Sequence, residues 1–235
     1  MKKLITNSVI ITMALGIFGV NAGELTGVGV DLNSAYVFRG ETNNDDVNVN
    51  PYLDADIGGG LSVAVWANVN TDTRNTDEVD LSASYALPAG LSLGYTEYVY
   101  PTQTVTDEDD AGSAKGSDRE LSLSMAVPGG LPLDPAIAVF LGVDGGIDGD
   151  LYVELTGGHS LALSDSMAID IGATLGYVAD SDDGETGLSH LTLSAGTGFD
   201  TGLGAIEVGV SYVVETDDSV LAVDEDLFFT IGLAL

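Results

Sequence analysis

The chain has no cysteine, so an exported form of it has no disulfides and must be held together by other means. Bases are nearly as scarce: six Lys and Arg stand against 37 Asp and Glu, for a formal charge of −31. That balance repels nucleic acid and anionic membrane surfaces, and argues against partners held through phosphate contacts. After Val20 no stretch is apolar for long enough to cross a bilayer as a helix, so a membrane location has to be carried by strands. Histidine occurs twice, as His159-Ser160 and Ser189-His190. Adjacent strand residues point to opposite faces, so neither pair makes a Ser-His dyad, and no enzymatic activity is expected. There is no P-loop, dinucleotide fingerprint or zinc-site spacing, hence no expected cofactor or metal.

What is present begins with Met1-Lys2-Lys3, an apolar stretch from Leu4 to Val20, and the small residues of Val20-Asn21-Ala22. This order has the form of a secretory signal peptide, with cleavage expected between Ala22 and Gly23. Its removal leaves 213 residues with four bases against 37 acids, and no Pro-rich or Ser-rich linker divides them. One domain is expected, spanning residues 23 to 235.

Along that domain the hydrophobic pattern has a period of two. Val79, Leu81, Ala83, Tyr85 and Leu87 fall on one parity, and Glu78, Asp80, Ser82, Ser84 and Ala86 on the other. The same alternation runs from Val47 to Ile57 and from Met167 to Tyr177. Strands are expected at 25–39, 47–57, 61–70, 78–87, 91–100, 118–127, 135–144, 150–163, 167–178, 188–200, 205–214 and 225–235, about twelve in all, most of a length that crosses a bilayer at a tilt.

Connections alternate in character. Gly58-Gly59-Gly60, Pro88-Ala89-Gly90, Ser164-Asp165-Ser166 and Thr201 to Gly204 are tight, whereas 41–46, 71–77, 101–117, 179–187 and 215–224 are longer and acidic. Two depart from this scheme: 128–134 is long for a turn and 145–149 short for a loop. Short turns on one rim and long loops on the other are the habit of outer-membrane barrels, with the turns in the periplasm. A soluble exported sandwich also alternates apolar and polar residues. The signal peptide, the rim asymmetry and a polar parity rich in Gly, Ser, Ala, Asn and Thr favour an all-β, transmembrane, antiparallel up-and-down β-barrel. Its last segment alternates Leu227, Phe229, Ile231, Leu233 and Leu235 with small or polar residues. It resembles the closing strand read by the barrel-assembly machinery, with Leu where Phe is usual.

The parity assigns side chains to faces. Tyr36, Phe38, Tyr85, Tyr95, Tyr177, Phe199, Tyr212 and Phe229 fall on the lipid side, as candidates for interfacial aromatic girdles. Tyr52, Trp66, Tyr98 and Tyr152 fall on the inward side. Asp31, Asp54, Asp56, Asp80, Glu154, Asp170 and Glu207 are the candidate lumen acids, with Arg39 the one base assigned there. Carboxylates around a bore favour cations. Arg39 among carboxylates is expected to be a paired structural residue rather than a solute contact. The loop Ala179-Asp180-Ser181-Asp182-Asp183-Gly184-Glu185 comes nearest to a divalent-cation site, but lacks EF-hand spacing and reads as a solvated loop.

Ser34-Ala35-Tyr36-Val37-Phe38-Arg39-Gly40, Pro51, Val65 to Asn70, Glu78 to Leu81 and Tyr95-Thr96-Glu97-Tyr98-Val99-Tyr100-Pro101 together resemble the TorF-type porins of proteobacterial outer membranes. The likeness covers residues 34 to 101 best; beyond Pro101 only scattered features such as Tyr152, Glu154 and His159 look alike. It implies a Gram-negative outer-membrane location and a channel for small solutes, though this chain is more acidic than the family pattern. Expected partners are outer-membrane lipid and lipopolysaccharide, the assembly machinery, and small hydrophilic solutes or cations. The competing expectation is a non-conducting structural or adhesive barrel.

Overall fold

A computed structural model describes residues 24–102, 116–127, 130–164, 167–180, 185–217, 219–221 and 226–235. The expected signal peptide lies outside these residues, as do most of the 101–117 loop and residues 181–184 of the acidic loop considered for divalent cations.

The strands are β1 (Glu24–Asn33), β2 (Tyr36–Phe38), β3 (Glu41–Asn44), β4 (Asn48–Gly58), β5 (Leu61–Asn70), β6 (Asn75–Ala86), β7 (Leu91–Tyr100), β8 (Gly116–Ala126), β9 (Ala136–Asp144), β10 (Leu151–Ser164), β11 (Met167–Asp180), β12 (Gly187–Asp200), β13 (Ala205–Glu215) and β14 (Leu227–Ala234). β1 and β4 to β14 form a closed barrel of twelve strands, each antiparallel to its neighbours in chain order. The seam pairs β14 with β1, from Gly29 opposite Ala234 to Asn33 opposite Thr230. Closure removes both sheet edges, so the wall satisfies its own backbone hydrogen bonds.

Directly opposed residues of an antiparallel pair share a face, so the register carries the period-two pattern around the wall. Tyr52, Trp66, Asp80 and Tyr98 are successive partners across β4 to β7. On the other face Tyr85, Leu93 and Leu123 follow one another in the same way. The outward set includes Leu53, Leu81, Leu93, Leu123, Ile171 and Leu193, all exposed. The inward set includes Asn48, Asn50, Asn68, Glu78, Glu120 and Thr192, all buried. Polar within and apolar without is the reverse of a soluble domain, in which apolar area leaves water at a gain of about 25 cal/mol per Å².

At the short-turn rim the 58–60 and 201–204 turns are built as the sequence implies, while residues 165 and 166 of the expected 164–166 turn lie outside the described residues. Gly58, Gly59 and Gly60 all have left-handed φ, and the Asp56 carboxylate accepts the Gly58 N–H at 2.7 Å. Thr201 closes its own turn, its Oγ1 accepting the Leu203 and Gly204 N–H groups at 3.2 Å. The long 127–135 connection is zipped at its base by Val127 N–H donating to the Pro135 carbonyl, and Gly158 N–H reaches the Leu133 carbonyl on it. The short 145–149 connection turns on Gly145 and Gly149, both at positive φ.

One expected strand is corrected. The wall strand forecast over 25–39 ends at Asn33, because its neighbours run out: β14 begins at Leu227 and β4 at Asn48. Ser34 fastens the departure, its N–H donating to the Phe229 carbonyl and its Oγ accepting the Phe229 N–H, each at 2.9 Å. Ala35 then packs against the inward side chains of Val213 and Phe228, with Val37 beside them. The chain continues inside the barrel as the β2–β3 hairpin. Tyr36 and Phe38 therefore line the interior, not the outer face to which parity assigned them.

Candidate functional site in the barrel lumen

The hairpin enters from the long-loop rim and turns at Arg39 and Gly40, with Phe38 opposite Glu41. Both turn residues have positive φ, 51° and 85°, as a two-residue hairpin turn of the primed type requires. Glycine takes this conformation without strain, and a Cβ at position 40 would stand 2.5 Å from the His190 ring. Arginine pays a steric cost of about 1–2 kcal/mol for it, and its side chain supplies the compensation.

The Arg39 guanidinium meets the Glu120 carboxylate on β8 in a two-pronged pair, Nη1 to Oε2 and Nη2 to Oε1, both at 2.8 Å. Three rings surround it, those of Phe38, Phe140 and Tyr152, at 4.7, 4.4 and 4.5 Å. Glu120 is only 4% exposed and takes a further hydrogen bond from the Tyr98 hydroxyl at 3.0 Å. A buried ion pair of this kind is stable only with such geometry and added donors.

The hairpin is anchored elsewhere too. The Tyr36 hydroxyl donates to Glu78 Oε2 at 2.6 Å, and its ring lies 5.5 Å from that of Trp66. Phe38 meets Tyr98 edge-on at 5.9 Å. Behind Gly40, the Tyr152 hydroxyl and His190 Nε2 are 2.9 Å apart, as are His190 Nδ1 and Thr192 Oγ1. At the root of the hairpin, Asn44 and Asn48 exchange side-chain hydrogen bonds, and Asn33 donates to Asn50 at 2.7 Å.

Under the hairpin lies a cavity of about 330 Å³. Of the sequence-predicted residues, Asp31, Arg39, Asp54, Asp80 and Glu154 line it. Asp56, Asp170 and Glu207 do not, but share the inward face nearer the short-turn rim: Asp56 opposes Ser62, Asp170 opposes Ser160 and Gly196, and Glu207 opposes Gly198 and Gly232. Asp31 and Glu207 converge there, both close to where a Cβ on Gly232 would stand. Tyr52, Trp66 and Tyr98, expected inward, line the cavity, and Tyr152 buries its ring beside Arg39. On the outer face Tyr85, Tyr95, Tyr177, Phe199, Tyr212 and Phe229 are exposed. An Arg119 ion pair with Glu97 and another with Asp144 lie toward the long-loop rim.

Glu78, Glu120 and His190 stand outside the lumen candidates drawn from the sequence, and the two hairpin aromatics are assigned there to the lipid side. Inward parity marks Glu78, Glu120 and His190, but nothing in a strand pattern distinguishes a wall residue that meets an inserted loop. Tyr36 and Phe38 carry the opposite signal, since an inward hairpin and an outward strand have the same alternation.

No protein-family model and no curated protein matches the chain. Among solved structures it is similar to an outer-membrane channel from Pseudomonas putida F1, at 12% identity and a TM-score of 0.45 over 92% of this chain and 97% of that one. It is also similar to CdiB from Acinetobacter baumannii, at 12% identity and a TM-score of 0.46 over 92% of this chain and 60% of that one. A third similar structure is CymD, a monoaromatic hydrocarbon channel, at 14% identity and a TM-score of 0.39 over 91% and 88% of the two chains.

Proposed function

We propose that the chain is an outer-membrane channel of a Gram-negative bacterium, passing small hydrophilic solutes with a preference for cations, its bore narrowed by the β2–β3 hairpin. The observation that carries this reading is the inversion of the barrel: Leu53, Leu93 and Leu193 outside, Asn48, Glu78 and Thr192 inside. Such a wall is stable with hydrocarbon around it and water within. The exposed aromatics and the Arg119 ion pairs suit the interfacial zones. The resemblance of residues 34 to 101 to TorF-type porins points the same way.

Cation preference follows from the count of inward charges. Asp31, Asp54, Asp56, Asp80, Glu154, Asp170 and Glu207 share the lumen with Arg39, whose charge is spent on Glu120. Field lines from these carboxylates raise the local concentration of cations. Reversal potentials in planar bilayers under a potassium chloride gradient test this. A cation-selective potential is expected, and clear anion selectivity contradicts it.

A second reading, a non-conducting barrel, draws on the hairpin itself, which touches side chains of β5, β6, β7, β8, β9 and β10. Liposome swelling with neutral sugars separates the two: swelling supports the channel, and its absence together with an absence of current supports the plugged barrel.

A further inference from the structure

We infer that Asp80 and the aromatic rings around it form a binding site for a small organic ammonium ion. The inference deepens the channel reading by naming a solute class, and rests on that reading for its biological sense but not for its test.

Asp80 has Trp66 directly opposite on one side and Tyr98 directly opposite on the other. The hairpin sets Tyr36 beside Trp66 and Phe38 beside Tyr98, at 5.5 and 5.9 Å. Four rings and a carboxylate thus face one cavity. Asp80 Oδ1 is buried there without a hydrogen-bond partner, and a buried acceptor left unmade carries a free-energy cost. The Asp80 carboxyl also shares a hydrogen bond with that of Glu78, and among the described residues no ion pair reaches either acid. Arg39, which lines the same cavity, is committed to Glu120.

A hydrogen bond between two carboxyls holds one proton and leaves one negative charge on the pair, so the site suits a cation, and the surroundings select its kind. Ring faces attract cations that shed water readily, above all alkylated ammonium groups. The same lumen already holds one organic cation in this manner, the Arg39 guanidinium among Phe38, Phe140 and Tyr152. A metal ion needs several oxygen ligands, and the described residues offer no such grouping. A neutral aromatic would fill the space but leave that charge unmatched. At about 330 Å³ the cavity is at the small end of ligand pockets, which fits a body the size of benzylammonium.

Trp66 is the only tryptophan in the chain and lies in the site, so its fluorescence reports occupancy directly. With the full chain folded in detergent, benzylammonium should change that fluorescence saturably, tetramethylammonium should compete, and benzyl alcohol should bind about tenfold or more weakly, as loss of the charge contact implies. Asp80→Asn should weaken benzylammonium binding by a similar factor while keeping the heat-modifiable mobility of a folded barrel. Equal binding of the alcohol and the ammonium, or unchanged binding by folded Asp80→Asn, overturns the site; if that variant does not fold, the ammonium and alcohol comparison on the unsubstituted protein decides alone. A barrel that binds benzylammonium but passes no current refutes the channel and keeps the site, whereas one that conducts without binding refutes the site alone.

Discussion

Arg39 occupies a left-handed backbone position that few non-glycine residues hold, and the structure ties that strain to one buried ion pair. Truncating it to Ala leaves Glu120 buried without its counter-charge, and breaking a buried pair in this way typically costs about 3–5 kcal/mol. The cost falls on the seating of the hairpin, because the wall strands on either side pair without it. Arg39→Ala should therefore raise single-channel conductance and current noise while leaving the barrel folded; conductance equal to the unsubstituted protein would show that the ion pair does not hold the hairpin in place. Changing Arg39 and Glu120 together to Met and Gln should restore part of the seating, since no charge is then left buried. The sequence supports a paired, structural role for Arg39, since a lone base among carboxylates seeks a partner. Which carboxylate it finds was not legible, because Glu120 lies 81 residues away and only the fold brings the two together.

At the scale of elements, period two located the wall strands well: the forecast 61–70 and 91–100 coincide with β5 and β7, and most other limits differ by one to three residues. Strand periodicity is legible because each strand there turns one face to polar surroundings and the other to apolar ones. The forecast 25–39 fails after Asn33, because alternation depends on local surroundings and not on which element supplies them. An inserted hairpin also places one parity on the wall and the other on the open lumen. The wall itself does not need β2 and β3, since β1 pairs directly with β4 from Glu24 opposite Asp56 to Asn33 opposite Asn48. Replacing residues 36 to 44 by a short Gly-Ser link should keep the heat-modifiable barrel and increase its conductance several-fold. A folded barrel whose conductance does not change would place the constriction elsewhere.

For the whole molecule, the proposed channel requires that one wall separate two media. Leu193 and Ser194 are neighbours on β12, Leu193 exposed on the outer face and Ser194 opposite Gly172 and Ser211 on the inner. In a bilayer, Leu193→Arg should lower stability to urea by about 2–4 kcal/mol if it lies near the midplane, and Ser194→Arg by much less; equal losses would contradict two different media. The absence of cysteine makes a finer test possible. Single cysteines at each position from 167 to 175, labelled with a small fluorophore in lipid vesicles, should be quenched by lipid-borne nitroxide at Met167, Ile169, Ile171, Ala173 and Leu175. A water-soluble quencher should act instead at Ala168, Asp170, Gly172 and Thr174. Quenching by the aqueous agent at every position, or by neither agent in alternation, would contradict the barrel as a boundary between lipid and an enclosed aqueous lumen.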